Sequence, residues 1–130
     1  MKRQIFVFGS NLAGRHGKGA ALYARKNFGA IYGRGIGLQG DSYGIPTKDE
    51  RIKTLPLDQI KLHVDEFLVF AEIHPEMMFN VSPIGCGLAG YTPEDIAPMF
   101  KNVPHNVILH DTFKYVLGLL HNRKLDFDED

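Results

Sequence analysis

Ser82-Pro83-Ile84-Gly85-Cys86-Gly87-Leu88-Ala89-Gly90-Tyr91 joins two segments of recognisable type. The run 77–81 before it is apolar enough to predict a buried strand. After it, Thr92 and Pro93 have the pattern of a helix N-cap and a first helical residue, with acids in the first turn. The sequence therefore predicts a strand, a glycine-rich turn and a helix in direct succession.

A junction of this kind is suited to an anion. Three glycines let the backbone turn sharply and present N–H groups outward, and the dipole of the following helix also favours negative charge. The expected ligand is the phosphate of a nucleotide. The alternative is a tight turn that needs glycine for steric reasons alone.

Composition limits the classes of protein that need to be considered. The chain has 130 residues, 44% of them hydrophobic and 23% charged, which predicts a single globular domain over 1–130 with a disordered acidic tail over about 124–130. Fifteen basic residues balance fifteen acidic ones, so no strong nucleic-acid patch is expected. A single cysteine excludes an internal disulfide and fits a cytoplasmic protein. No membrane span, signal peptide, metal or cofactor is expected.

Strands and helices alternate along the chain, which indicates an α/β fold with a central sheet. Strands are predicted over 4–8, within 36–39, over 42–48, over 77–81 and over 106–110. Helices are predicted over 20–28, over about 57–74 with Asp58 as a plausible cap, over about 93–100 and over 112–121.

A second glycine-rich loop, 9–19, follows the first predicted strand and precedes the first helix. Because ligands of open α/β sheets bind beyond the carboxyl ends of the strands, the two loops are expected to face one site. Neither loop has the spacing of a P-loop or of the dinucleotide-binding G-x-G-x-x-G pattern, so spacing alone does not identify the nucleotide.

Three motifs in this order resemble the macro domains. They are Gly17-Lys18-Gly19-Ala20-Ala21 leading into Arg25-Lys26-Asn27-Phe28-Gly29, then Ile45-Pro46-Thr47-Lys48, then Ile84-Gly85-Cys86-Gly87-Leu88. The similarity covers about residues 5 to 100. It is closest to the branch with the terminal ADP-ribose–protein glycohydrolase and the DNA ADP-ribosyl glycohydrolase antitoxins. The resemblance implies a three-layer α/β/α fold with a central mixed sheet that binds ADP-ribose.

The resemblance also implies roles for individual residues. Asn11 and the segment containing Gly17, Gly19 and Ala20 would lie near the distal ribose, and Thr47 would line the same site. The diphosphate would be wrapped by Gly85, Cys86, Gly87, Leu88, Ala89, Gly90 and Tyr91. Lys48 would attack or stabilise the anomeric carbon of the ribose being released. Ala89 stands where the protein-directed glycohydrolase carries aspartate, which argues against carboxylate-assisted turnover, although the DNA-directed members also lack an acid there.

Several residues that could take part in the chemistry also have a simpler structural interpretation. Lys48 could be a solvated lysine in a charged run, and Cys86 a small buried hydrophobic residue. His16 could contact phosphate or lie on the surface, and Tyr91 could cover the sugar or pack on the next helix. Asp41 could be a general base, although a turn residue is favoured.

Three functional hypotheses follow. The first is a hydrolase that cuts an ADP-ribosyl linkage on protein, nucleic acid or a metabolite. The second is a non-catalytic module that binds ADP-ribose or another NAD-derived nucleotide without using Lys48. The third is a module for a different nucleotide, or a structural protein. The sequence does not fix the oligomeric state.

Overall fold

A five-stranded sheet forms the middle of the molecule. The computed structural model describes residues 2–119, with the strands β1 (Arg3–Asn11), β2 (Gly37–Gln39), β3 (Ser42–Lys48), β4 (Met77–Val81) and β5 (Val107–Leu109). They lie in the order β2-β3-β1-β4-β5. All neighbours are parallel except β2, which is antiparallel to β3. The predicted mixed sheet is confirmed.

Helices cover both faces of this sheet. They are α1 (Gly19–Asn27), α2 (Leu57–Glu72), α3 (Pro93–Ile96), which continues as a 3-10 turn over Ala97–Phe100, and α4 (Asp111–Val116). Helix α1 packs on one face of β1, whereas α2, α3 and α4 share a core with the other face. The fold therefore has the three α/β/α layers that were predicted.

Alternating side chains of β1 pack into two different hydrophobic cores, one on each face of the sheet. Ile5 and Val7 are fully buried in the large core with α2, α3 and α4, and Phe8, also fully buried, packs against α1. Successive side chains of a strand point to opposite faces, so a single apolar run serves both layers. The near-continuous apolar sequence of β1 is typical of a central parallel strand.

Strand β1 is longer than the sequence indicates. The sequence predicts a strand over 4–8, but the parallel pairing of β1 with β3 continues through Ser10 opposite Pro46 to Asn11 opposite Lys48. Proline at this position can still pair because its carbonyl remains available. The extension brings the start of the glycine-rich loop beside Lys48.

Two predicted details of the helices are wrong. Asp58 does not cap α2, because Pro56 is the N-cap and makes no side-chain capping bond, and Asp58 lies in the first turn. Helix α2 also ends at Glu72 rather than His74, since Pro75 disfavours helical backbone in the residue before it.

The later helices begin as predicted but are shorter. Thr92 caps α3 through a capping box with Asp95, and the helix tightens into the 3-10 turn where Pro98 lacks an N–H for the helical ladder. Helix α4 begins after His110 and ends at Val116, near Gly118 with φ of 74°. The predicted remainder of this helix beyond residue 119, and the tail over 124–130, lie outside the described residues.

The glycine-rich segment 30–40 is irregular, as expected, and buried polar groups hold it in place. The side-chain oxygen of Gln39 accepts the N–H of Ile31 at 2.7 Å, and its nitrogen donates to the Arg34 carbonyl at 3.0 Å. His16 lies 2.9 Å from the same carbonyl and is fully buried. The prediction of a surface or ligand-facing His16 is therefore wrong.

Gly85 is the glycine on which the β4–α3 junction depends. Its φ is 76°, and a Cβ atom here would lie 3.0 Å from Cδ1 of the fully buried Ile96. A side chain at this position would meet both backbone strain and a collision with the core.

Gly85→Ala is expected to lower the free energy of unfolding by about 2 to 4 kcal/mol, measured by urea denaturation. Gly33→Ala is the matched control, because Gly33 has φ of 98° but open space around its Cβ position. The control should lose only about 1 kcal/mol. Equal losses in the two variants would contradict the packing argument.

Candidate functional site

The two glycine-rich loops leave adjacent strands at the same edge of the sheet. The loop after β1 leads to α1 on one face, and the loop after β4 leads to α3 on the other. Two neighbouring parallel strands whose connections diverge in this way create a crevice at the carboxyl edge of the sheet. The expected convergence of the two loops is thus present in the fold.

The loops approach each other closely. A Cβ atom at Gly19, the first residue of α1, would lie 3.2 Å from Cδ1 of Leu88. At the base of the crevice, a Cβ atom at Gly9 would lie 3.5 Å from the backbone nitrogen of Gly85. The Leu88 side chain therefore lies against the start of α1, and two glycines bring the backbones of β1 and the β4–α3 loop together.

Three successive amides of the β4–α3 loop are free to bind a ligand. Within residues 2–119, the N–H groups of Gly87, Leu88 and Ala89 donate no hydrogen bond, whereas Gly90 N–H closes a turn onto the Gly87 carbonyl at 3.1 Å. Gly87 has open space where its Cβ would be, and 63% of Leu88 is exposed. Adjacent unpaired amides form a concave site for anions.

The start of α1 supplies a second set of free amides. The N–H groups of Gly19, Ala20 and Ala21 precede the first intrahelical bond, Lys18 provides no side-chain cap, and no acid lies in the first turn. Gly17 just before the helix is exposed and unobstructed. The positive end of the helix dipole is therefore open on the side that contacts Leu88.

A third segment, the β3–α2 connection, is tied to the β4–α3 loop by two hydrogen bonds. The Thr54 hydroxyl donates to the Ala89 carbonyl at 3.0 Å, and the Tyr91 hydroxyl donates to the Leu55 carbonyl at 2.7 Å. Tyr91 thus holds two loops together, which neither of its predicted roles anticipated. Nothing in the sequence around Thr54 signalled its contact.

Asn11 and Thr47 brace the backbone of the crevice. The Asn11 amide exchanges two 2.9 Å hydrogen bonds with the backbone of Arg15, which closes the start of the β1–α1 loop. The Thr47 hydroxyl donates to the Ser10 carbonyl at 3.3 Å, and a Cβ atom at Gly85 would lie 3.9 Å from its methyl group. Both residues are buried beside the crevice, and their contact with a ligand stays a prediction.

Lys48 ends β3 next to the β1–α1 loop. Its carbonyl accepts the N–H of Leu12 at 2.9 Å, and its backbone bridges to Thr54. The residue is half-buried, and its ammonium group makes no hydrogen bond or ion pair with residues 2–119. The backbone of Lys48 is therefore fixed by hydrogen bonds, whereas its side chain stabilises no other described part of the protein.

Asp49, Asp95 and Asp41 are each engaged elsewhere. The Asp49 carboxylate accepts the backbone N–H groups of Lys53 and Arg51 at 3.0 and 2.8 Å, and these bonds lower its pKa. Asp95 is occupied by the cap of α3. Asp41 pairs with Arg3 at 2.8 Å on the surface, which fits a turn residue.

Cys86 is not poised as a nucleophile. Burial, together with the nearby carboxylates of Asp95 and Glu94, raises the pKa of its thiol to about 11. Its sulfur lies 3.5 Å from the Ile84 carbonyl. The thiol is therefore protonated at neutral pH and behaves as a small packing group.

Residues 2–119 contain neither a metal-binding cluster nor a helix that could span a membrane. No group of three or more His, Cys, Asp or Glu side chains is arranged to hold a metal ion. Among the helices of this part of the chain, none combines the length and apolar character that crossing a membrane requires.

Comparison of the sequence and structure with protein-family models, curated proteins and solved structures found no match.

The raised pKa of Cys86 predicts slow alkylation. At pH 7 iodoacetamide should modify the folded protein roughly a hundredfold more slowly than a free cysteine, because the thiolate fraction is smaller. The rate should keep rising beyond pH 9, where a free thiol approaches full ionisation. Mass spectrometry of timed samples measures it, with urea-unfolded protein as the control. A rate at pH 7 equal to that of the control would contradict this assignment.

Proposed function

We propose that this chain binds ADP-ribose, free or as an ADP-ribosyl group, in the crevice between the two glycine-rich loops. The observation that carries the proposal is two neighbouring sets of amides without hydrogen-bond partners, Gly19 to Ala21 and Gly87 to Ala89, at the carboxyl edge of the sheet. Two adjacent anion sites suit a diphosphate better than a single phosphate. The three motifs that resemble macro domains contribute residues to this one crevice.

In this proposal the diphosphate lies between the two amide sets. Ala89 and Gly90 complete the loop around it, and the tie from Tyr91 to Leu55 keeps that loop in place. The distal ribose extends toward Asn11, Gly17 and Lys48. Backbone amides are already oriented by the fold, so binding costs little ordering of side chains.

We further propose that the chain hydrolyses an ADP-ribosyl linkage through Lys48. Its neutral amine would attack the anomeric carbon and form a C–N bond while the bond to the modified group breaks, and the proton lost by the amine would pass to the leaving group. Water would then cleave the C–N bond, which releases ADP-ribose and restores the lysine. Alternatively, Lys48 would stabilise the anomeric carbon while water attacks it directly. The half-buried side chain without a structural partner supports this role. No acid occurs between Gly85 and Tyr91, and Lys48 borders the β1–α1 loop through the bond from the Leu12 N–H to its carbonyl.

A non-catalytic ADP-ribose module is the second candidate. It rests on Ala89, which stands where the protein-directed relatives carry aspartate. This candidate uses the same amides and differs only in giving Lys48 no chemical role.

Gly87→Val tests the binding site. A branched side chain would project into the open space where the ligand must approach the amides, so affinity for ADP-ribose should fall by at least about tenfold. Isothermal titration calorimetry measures the affinity, with AMP as the ligand control. Because nothing lies within 4 Å of the added Cβ position, the thermal midpoint should change little. Unchanged affinity would show that these amides do not bind the diphosphate.

Lys48→Ala tests catalysis. Turnover of ADP-ribosylated protein or DNA should fall at least about a hundredfold while ADP-ribose still binds. Lys53→Ala is the matched control, because Lys53 is an exposed lysine of the same connection whose backbone, not its side chain, bonds to Asp49. Lys48→Arg keeps the positive charge and separates attack by the amine from electrostatic stabilisation. If Lys48→Ala turned over substrate as fast as the wild type, the lysine mechanism would be ruled out. If the wild type bound ADP-ribose but hydrolysed no substrate, the non-catalytic binding module would be favoured.

A further inference from the structure

The charges of this chain are unevenly distributed, although its net charge is zero. Residues 1–40, which include β1, α1 and β2, contain no Asp or Glu. Their basic residues are Lys2, Arg3, Arg15, Lys18, Arg25, Lys26 and Arg34. The balanced total predicts no strong nucleic-acid patch, but it does not describe where the charges lie.

The acids of the described helices all lie on the other side of the sheet. Helix α1 carries none. Helices α2, α3 and α4, which pack on the opposite face, carry Asp58, Asp65, Glu66, Glu72, Glu94, Asp95 and Asp111. The sheet therefore separates a basic layer from an acidic one, which gives one face of a neutral protein a positive potential.

Most cations of the basic layer have no acid beside them. Arg3 is the exception, because it pairs with Asp41 at 2.8 Å. The N–H of Asp41 donates to the Phe28 carbonyl at 2.8 Å, so the acid that meets the end of α1 is already neutralised. Five exposed cations form no ion pair within residues 2–119 and make up the basic surface: Arg15, Lys18, Arg25, Lys26 and Arg34.

Helix α1 carries three members of the basic surface. Lys18 is its N-cap, and Arg25 and Lys26 lie in its last turn. At 1.5 Å per residue, Lys18 and Arg25 are about 10 Å apart along the helix axis. The guanidinium of Arg25 lies 5.2 Å from the centre of the Tyr32 ring, which connects the helix to the segment 30–40.

The β1–α1 loop and the segment 30–40 supply the other two members. The Gly33 N–H donates to the Gly14 carbonyl at 2.8 Å. Arg15 and Arg34 directly follow these two glycines in the chain, so their backbones are neighbours. The basic surface therefore continues from α1 across both irregular segments.

Tyr32 distinguishes nucleic acid from other polyanions as the partner of this surface. Its ring is 55% exposed and lies beside Arg25. Exposed aromatic rings and guanidinium planes stack on unpaired bases, while surrounding cations bind the phosphates. An anionic membrane or an acidic peptide would contact the cations but has no base to stack on the ring.

We propose that the basic surface, together with Tyr32, binds single-stranded nucleic acid. The phosphates contact the five cations, and one base stacks on the pair formed by Tyr32 and Arg25. DNA and RNA strands both offer this chemistry. The backbone amides of the crevice take no part in it, so the inference does not rest on the proposed function.

Fluorescence polarisation tests the proposal on the full chain, with labelled oligothymidylate and oligouridylate of about 12 nucleotides as probes. A dissociation constant between about 1 and 100 µM is expected for at least one of them at about 150 mM salt, and the tighter probe identifies the preferred sugar. Because unpaired bases are needed for stacking, a DNA duplex of equal length should bind at least about threefold more weakly.

Arg25→Gln with Lys26→Gln tests the phosphate contacts. The double variant should weaken binding at least about fivefold and make the dependence of log affinity on log salt shallower by about one. Arg51→Gln with Lys101→Gln is the matched control, because it removes the same charge from two exposed residues outside the basic surface. The control should change the affinity by less than about twofold.

Tyr32→Ala tests the stacking. It should weaken binding about fivefold or more while leaving the salt dependence unchanged, since no phosphate contact is lost. Tyr115→Ala is the matched control, because Tyr115 is 60% exposed on α4, on the other face of the sheet. Far-UV circular dichroism should be the same for all variants, because every substituted side chain is exposed.

Four results would overturn the proposal. They are no binding of either oligonucleotide at about 1 mM protein, equal weakening by the double variant and its control, an unchanged affinity in Tyr32→Ala, and a duplex bound as tightly as the single strands. Vesicles containing phosphatidylserine are titrated in parallel. If the vesicles bound through Arg25 and Lys26 and the oligonucleotides did not bind, the basic surface would be assigned to a membrane instead.

Discussion

The close approach of two loop backbones is the constraint on which the rest of the site depends. Gly85 turns the chain at the end of β4 with φ of 76°, packed under Ile96, and Gly19 begins α1 within van der Waals reach of Leu88. A side chain at Gly85 would displace the core at Ile96, and one at Gly19 would be strained by its φ of 57° and would crowd the Leu88 side chain. Both loops leave unpaired amides at the carboxyl edge of the sheet, three at the start of α1 and three between β4 and α3.

The sheet explains why the loops meet at this place. Strand β1 lies between β3 and β4, so its continuation and that of β4 diverge to opposite layers at the carboxyl edge. The alternating residues of β1 anchor both layers, with Ile5 and Val7 on one side and Phe8 on the other. Hydrogen bonds from Thr54 and Tyr91 then fix the β3–α2 connection to the β4–α3 loop. The sheet thereby positions the β1–α1 loop, the β3–α2 connection and the β4–α3 loop.

Local sequence signals predicted most of the fold. The bounds of β3 and β4 and the cap of α3 follow from apolar runs bounded by turn residues and from Thr92, which act over a few residues. Such local signals do not predict which distant segments of the chain pair with each other. The extension of β1 to Asn11 depends on β3 as a neighbour, and the burial of His16 depends on the distant Arg34 and Gln39. For the same reason the sequence located the glycines of the crevice but not Thr54, whose partner lies 35 residues away.

We propose that the amides of Gly19 to Ala21 and of Gly87 to Ala89 jointly bind the diphosphate of ADP-ribose. The most direct measurement is a ¹H–¹⁵N NMR titration of the labelled protein, because it reports each backbone amide separately. The claim predicts saturable shifts that are largest at these six amides, with smaller changes at Tyr91 and Thr54. Shifts confined to other surfaces, or none at about 1 mM ADP-ribose, would contradict it.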